Sequence, residues 1–291
     1  YILNNGILNQ DNVTSVTGLY RNYYEGIRAC NFFIDHAERH GEEILKKNRD
    51  TIRDAVNYAK DKRNLEWFKA EAHIAKAYYY SELICRFGGV PIVEEVFTSD
   101  KKPAPAPHRT YDEVVEYIVE EIDGYVDNLQ TNWLTHPDNL ASEIGRFDKK
   151  SALTIKSSVL LHAAGPLHKP VGAVAKWERA AEAAHDVRVF MNYSMPSNRD
   201  YRAAFLGNAA ATSAETIFAM RMPAANGPER ANYPIATPGG NSGVTPTHDL
   251  VKAYEYIGVG PEPAGISYVD RDPRLTASVV PNGTVWKRRQ L

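Results

Sequence analysis

The side chains best suited to recognising a ligand gather in one Pro- and Gly-rich stretch, Arg221 to Pro246, which holds Asn226, Arg230, Asn232, Tyr233 and Asn241 among turn residues. A tyrosine ring offers a flat apolar face that can lie against one side of a pyranose, while Asn and Arg supply partners for hydroxyl groups. A loop of some two dozen residues is uncommon in a compact domain and is often functional. Tyr233, Asn232, Asn241 and Arg230 are therefore candidate ligand-binding residues. Trp133, beside Asn132 in an earlier loop, is a further candidate platform. An ordinary solvated loop is the alternative reading of the same residues.

Constellations for covalent chemistry are weak by comparison. Glu94-Glu95 and Glu120-Glu121-Asp123 could hold the paired carboxylates of a glycosidase, which need a set separation. Adjacent acids on a helix point in different directions, however, and these read as solvated faces. Ser157-Ser158 has no evident base, and His162 and His168 bracket a Gly-Pro helix end. Gly239-Gly240-Asn241-Ser242-Gly243 lacks the following Lys of a phosphate loop. Cys30 and Cys85 sit among apolar neighbours in helical patterns and read as buried free thiols, with one disulfide between helices as the alternative. Nothing has metal-ligand spacing, and no cofactor is expected.

The chain of 291 residues carries 34 basic and 36 acidic side chains, a net charge of −2. That balance gives no basic footprint for nucleic acid. Tyrosine is abundant, at 17 residues, and most of these rings are expected to be helix-packing core. No apolar stretch approaches the about 18 residues that a membrane-spanning helix needs.

The elements that must position these residues are mainly helical over the first two thirds. Apolar residues from Val16 to Ala37 recur every three or four positions, a helix with Gly41 as a plausible stop. A second helical pattern covers about Asp50 to Phe87, with an interruption near Asp61–Asn64, and ends at Gly88-Gly89 before Pro91. Val90 to Val96 reads as extended. Thr110 and Glu113 form a capping box for a helix to about Gln130. Asp148 caps another through Ala164, and a further helix covers about Val174 to Phe190. Beyond Asn192 the periodicity fades. Thr216–Met220 and Leu275–Val280 read as short strands, and Thr247–Tyr256 as a helix. The fold class is mainly α: tetratricopeptide-like helical hairpins with an irregular loop-rich portion and a few short strands. The repeat is irregular, so a helical bundle is the alternative.

Several stretches in order resemble the SusD/RagB family. They are Leu19-Tyr20 through Asn31-Phe32-Phe33-Ile34; Lys69-Ala70-Glu71-Ala72 through Tyr78-Tyr79-Tyr80 to Arg86-Phe87-Gly88-Gly89-Val90-Pro91-Ile92; and Arg109-Thr110-Tyr111-Asp112-Glu113-Val114. Gly145-Arg146-Phe147, Trp177-Glu178-Arg179-Ala180-Ala181 and Glu215-Thr216-Ile217-Phe218 follow. Asp249-Leu250-Val251 and Tyr268 with Arg271-Asp272-Pro273-Arg274-Leu275 close the series. Each motif is short; their order along nearly the whole chain carries the resemblance.

The resemblance implies one SusD-like domain over 1–291, incomplete at both ends, with a helical portion 1–192 and a loop-rich, ligand-facing portion 193–291. It implies a non-enzymatic lipoprotein on the outer face of the outer membrane of a Bacteroidetes-type cell. Such a receptor binds oligosaccharide, or alternatively peptide, and delivers it to a SusC-like TonB-dependent transporter. Its membrane anchor would be an N-terminal lipid that is not in this chain. A glycoside hydrolase and a purely structural helical scaffold are the competing classes.

Overall fold

The computed structural model describes residues 14–96, 106–133, 143, 145–168, 173–192, 216–219, 226–235, 237–243, 245–265, 267–281, 283–286 and 289–290. The chain divides into two compact units, Tyr1–Tyr193 and Ser194–Leu291.

Among its described residues the first unit holds five α-helices: α1 (Thr14–Asn48), α2 (Ala55–Phe87), α3 (Tyr111–Tyr125), α4 (Lys149–Ala164) and α5 (Ala173–Met191). Tyr20 meets Phe87, Tyr23 hydrogen-bonds Glu82, and Gly41 abuts Leu65, so partner numbers fall as α1 advances and the pair is antiparallel. The same rule joins α3 to α2, through Glu121 with His73 and Tyr117 with Tyr80. α5 packs on α4, completing the expected helical pairs. Buried Ala70, Ala77, Ala152, Ala163, Ala180 and Ala183 let the helices approach closely around Ile74, Leu83, Ile118 and Ile122. Eight tyrosines, among them Tyr24, Tyr80 and Tyr117, also pack in or against this core, so tyrosine serves helix packing in this unit.

Two breaks read from the sequence are absent. α1 runs straight through Gly41, where an added Cβ would lie 2.7 Å from a Leu65 methyl. The glycine allows close helix approach and does not end the helix. α2 is likewise unbroken at Asp61–Asn64. Arg49, just past α1, pairs with both Asp54 (3.2 Å) and Asp61 (2.8 Å) and ties the start of α2 to the turn.

Other boundaries follow local chemistry. Gly88 takes φ of 71° and closes α2, as its sequence suggests. Thr110 and Glu113 form the capping box of α3, and Asp148 forms one with Ser151 at α4. α3 stops at Tyr125, with one 3-10 turn from Val126 to Asn128 completing the stretch that the pattern assigned to helix.

Val90–Val96 is not part of a sheet: one isolated bridge joins Pro91 to His108. Its backbone is instead satisfied by side chains. The Tyr24 hydroxyl donates to the Pro91 carbonyl at 2.7 Å, the Asn31 amide donates to the Val93 carbonyl at 2.8 Å, and the Val93 N–H donates to the Tyr80 hydroxyl at 2.8 Å.

Both cysteines are free; Cys30 is half-buried and Cys85 is exposed, which corrects the expectation that both thiols are buried. Burial pushes the Cys30 thiol up to about 11. Among the described residues no helix is long and apolar enough to cross a membrane.

The second unit holds α6 (Gly227–Asn232), α7 (His248–Ala253), α8 (Arg274–Ser278) and a two-residue hairpin of β1 (Val285–Trp286) with β2 (Arg289–Gln290). The expected strand at Leu275–Val280 is thus largely helix. Pro273 presets a helical φ of −54°, and the Asp272 carboxylate accepts the Arg274 N–H at 2.9 Å, a local start signal that outweighs the apolar run. Residues 216–219 form no strand, and Met220 lies outside the described residues. The expected helix at Thr247–Tyr256 is shorter, His248–Ala253, with Thr247 as its cap.

Gly89 has no room for a side chain, since an added Cβ would lie 2.1 Å from the Arg109 carbonyl oxygen, whereas Gly124 has open space. Gly89→Ala is expected to cost about 1–3 kcal/mol of stability. Gly124→Ala should be neutral or stabilising by up to about 1 kcal/mol. Denaturant midpoints of the two variants check this; equal midpoints would count against the close packing at Gly89.

Candidate functional site

The candidate loop is organised by α6. Pro228 sits in the first turn of this helix, and the Tyr233 N–H closes it on the Glu229 carbonyl at 2.8 Å. The chain then turns through Pro234–Gly240 and comes back over the helix end. Asn241, Gly243 and Ser242 donate their N–H groups to the carbonyls of Arg230, Ala231 and Tyr233 at 3.0, 2.8 and 3.0 Å. These bonds satisfy carbonyls that a short helix would leave open. The return needs glycine twice: Gly239 has φ of 80°, and a Cβ on Gly240 would lie 2.5 Å from the Pro234 carbonyl oxygen. Residues 221–225 of the stretch lie outside the described residues.

This turn forms one side of a cavity of about 740 Å³. That volume falls within the about 300–1,000 Å³ of sites that enclose a small ligand. Asn232, Tyr233 and Ser242 come from the α6 turn, and His248 and Val251 from α7. Tyr268 adds a second ring, and Ser278 to Pro281, at and beyond the end of α8, complete the described walls. The walls therefore combine two phenol rings, an aliphatic surface and hydrogen-bonding side chains.

Of the residues singled out in the sequence, Tyr233 and Asn232 line this cavity. Arg230 and Asn241 are exposed and are not among its described walls; the Asn241 amide oxygen accepts the Gly243 N–H at 2.9 Å and shapes the turn. Their contribution is to the loop that places Tyr233. Tyr268 and His248 were not singled out as ligand contacts. The available signal was Tyr268 itself, just ahead of Arg271-Asp272-Pro273-Arg274.

That motif holds the turn that carries Tyr268. Arg271 is buried and donates to the carbonyls of Ser267 at 2.6 Å and Tyr254 at 2.8 Å, and it also pairs with Glu262. It thereby gathers the turn carrying Tyr268. Arg274, not Arg271, clasps Asp272, and the guanidinium holds that carboxyl down to about 2.

Trp133 lies in the first unit, where the structure corrects its expected role. The ring is only 4% exposed, and its indole N–H donates to the Phe147 carbonyl at 2.9 Å. The Arg146 guanidinium lies 3.8 Å from the ring centroid and Trp67 packs edge-on at 5.4 Å, so the indole is committed to protein packing. Arg146 in turn holds Glu71 through two bonds, at 3.0 and 2.5 Å, and Glu143 through one at 2.5 Å. Burial pushes the Glu71 carboxyl up to about 7 against the pull of Arg146, with Glu143 and Asp148 adding to the rise.

Glu121 also departs from its expected solvated face. It accepts from His73 at 2.8 Å and pairs with Lys76 at 3.1 Å, all three largely buried. His73 stacks on Tyr125 at 3.4 Å. Burial opposes the Glu121 carboxylate, yet the hydrogen bond from His73 and the Lys76 ammonium hold it below its ordinary range. Among the described residues no group of three or more His, Cys, Asp or Glu could hold a metal ion.

No protein-family model matches this chain, and no curated protein matches it in sequence. Solved structures do match. A SusD-like protein from Bacteroides fragilis is similar over 92% of this chain and 50% of its own, with a TM-score of 0.69 and 20% identity. A SusD-like carbohydrate binding protein from the same species is similar over 94% of this chain and 48% of its own, with a TM-score of 0.68 and 21% identity. A third, solved with xylogluco-oligosaccharide, is similar over 70% of this chain and 35% of its own, with a TM-score of 0.51 and 19% identity. This chain has the SusD-like fold. It spans about half the length of the first two of these proteins.

Two outcomes follow for the Arg146 cluster. Arg146→Ala strands a buried carboxylate and should cost about 3 kcal/mol, read as a lower denaturant midpoint. Because the Glu71 pKa is raised from 4.5 to about 7, the folded state binds the extra proton. That contribution is fully present below pH about 4.5 and is lost as pH rises through about 7. Glu71→Gln should flatten the fall in stability across that window; an unchanged slope would place the titrating group elsewhere.

Proposed function

We propose that this chain belongs to a SusD/RagB-family receptor on the outer face of the outer membrane. It captures oligosaccharide in the second unit's cavity and passes it to a SusC-like TonB-dependent transporter. A lipid holds the receptor at the membrane, the first unit supplies the docking scaffold, and the second supplies recognition. The observation that carries this reading is the cavity itself, with Tyr233 and Tyr268 on its walls in a chain of SusD-like fold.

The chemistry suits sugar. A pyranose has an apolar face that can cover a phenol ring, and its hydroxyls find partners in Asn232, Ser242, Thr245 and Ser278. Similar structures support the ligand class: one is a carbohydrate binding protein, and another was solved with a xyloglucan-derived oligosaccharide. The aliphatic wall around Val251, Val279 and Val280 also fits apolar side chains, so peptide is the second ligand class to test.

Calorimetry with plant, host and microbial oligosaccharides, alongside short peptides, tests the reading. The expected result is saturable glycan binding without turnover, weakened at least tenfold by Tyr233→Ala, a loss of about 1.4 kcal/mol. Hydrolysis of a bound glycan would overturn it, and peptide binding alone would move the receptor to the second class.

A further inference from the structure

We propose that His36 and His40, on the exposed side of α1, form a binding site for a late divalent transition-metal ion, with Cu2+ the tightest ligand. The proposal stands apart from the glycan-binding reading and uses none of the cavity residues.

The stretch His36-Ala37-Glu38-Arg39-His40 places two imidazoles one helical turn apart, contrary to the expectation that nothing in the chain has metal-ligand spacing. Residues at i and i+4 are neighbours on the surface of a helix. Ile27, Ile34 and Ala37 of α1 are buried, while Phe32, His36 and His40 form an exposed ladder at four-residue steps. The Phe32 ring stacks on His36 with centroids 3.9 Å apart, and the His36 and His40 centroids are 6.1 Å apart. A histidine nitrogen holds a metal at about 2.0–2.1 Å, so two imidazoles sharing one ion have centroids about 4.5–6.5 Å apart. The observed separation already falls in that range.

The His36 ring is also oriented for ligation. Its Nδ1–H donates to the Phe32 carbonyl at 2.9 Å, and the Asp35 carboxylate lies 3.6 Å from the same nitrogen. A carbonyl oxygen only accepts, so Nδ1 carries the proton, and in the neutral ring Nε2 keeps its lone pair. Metal-bound histidines are held in this way, with the other ring nitrogen donating to a carbonyl or carboxylate. His40 is exposed, so its ring can turn to bring a nitrogen to the same ion. The intervening Arg39 is paired with Asp35 at 2.5 Å, which offsets its charge beside the site.

Two imidazoles make an open site, with water at the ion's remaining positions. Imidazole suits Cu2+, Ni2+ and Zn2+, and Cu2+ heads the affinity order of the divalent first-row metals. Mg2+ and Ca2+ prefer oxygen ligands and should not compete. His162 supplies an internal comparison. Its ring bonds the Ser158 carbonyl at 2.8 Å as His36 bonds that of Phe32, but Ser158 and Pro166 stand one turn to either side of it. It has the same orientation without a second imidazole four residues away.

Calorimetry with CuCl2 on the whole, untagged chain at pH 7.5 tests the pair. His36→Gln and His40→Gln are each expected to weaken Cu2+ binding at least tenfold, whereas His162→Gln leaves it unchanged. Ni2+ should bind the same site more weakly, and electron paramagnetic resonance of the Cu2+ complex should show two coordinating imidazole nitrogens. Adding Glu38→His to His40→Gln puts the second ring on the far side of the helix and should not restore binding. Cu2+ binding that survives both single substitutions, needs only one of the two histidines, or falls equally with His162→Gln would overturn the proposal. Recovery in the Glu38→His variant, or no Cu2+ binding at all, would overturn it as well. None of these outcomes bears on the glycan-binding reading, which is tested at the cavity.

Discussion

Partly buried backbone without a strand neighbour must find its hydrogen-bond partners largely among side chains, and the segment after α2 meets that constraint where α1, α2 and the start of α3 converge. Tyr24 and Asn31 reach Pro91 and Val93 from α1, while Tyr80 reaches Val93 from α2. Gly89 lets the Arg109 carbonyl pass where any side chain would block it. The Arg109 N–H then donates to the Val90 carbonyl at 3.3 Å, next to the capped start of α3. One short stretch thus sets the register of α1 on α2 and the point where α3 begins. Leaving such groups unpaired would cost about 1–3 kcal/mol each, which explains why three polar side chains converge there.

The charged groups inside the helical unit extend the same logic. Glu121 on α3 is joined to His73 and Lys76 on α2, and Glu71 on α2 to Arg146 ahead of α4. Each cluster links elements distant in sequence and surrounds its ions with rings, Tyr125 and Tyr117 in one and Trp133 and Phe68 in the other. Buried ions add little net stability over apolar packing, but an alternative helix register would leave them unpaired. Their role in this unit is to penalise wrong packing, and Trp133 serves that role in place of ligand binding.

The second unit uses different means. Its described helices are short, and main-chain bonds from 241–243 to 230–233 hold the turn after α6. Buried Arg271 gathers three segments by itself. The described cavity walls are thereby mounted on turns held by hydrogen bonds, in a chain that shares its fold at about 20% identity with solved SusD-like proteins.

The sequence by itself determined the five long helices and most of their ends. Thr110 with Glu113, Asp148 and Gly88 act within about one helical turn, so their effect is readable from neighbours alone. It also marked Tyr233 and Asn232 by residue type, and the structure places both on a cavity wall. Only the tertiary structure decided that α1 passes through Gly41, that Glu121 turns inward, and that Trp133 is covered while Tyr268 and His248 face a cavity. The physical reason is range. Gly41 is explained by Leu65, Glu121 by His73, and Tyr268 by a cavity whose other ring, Tyr233, lies in a different loop. Exposure of a side chain is set by partners far along the chain, and the local pattern contains no record of them.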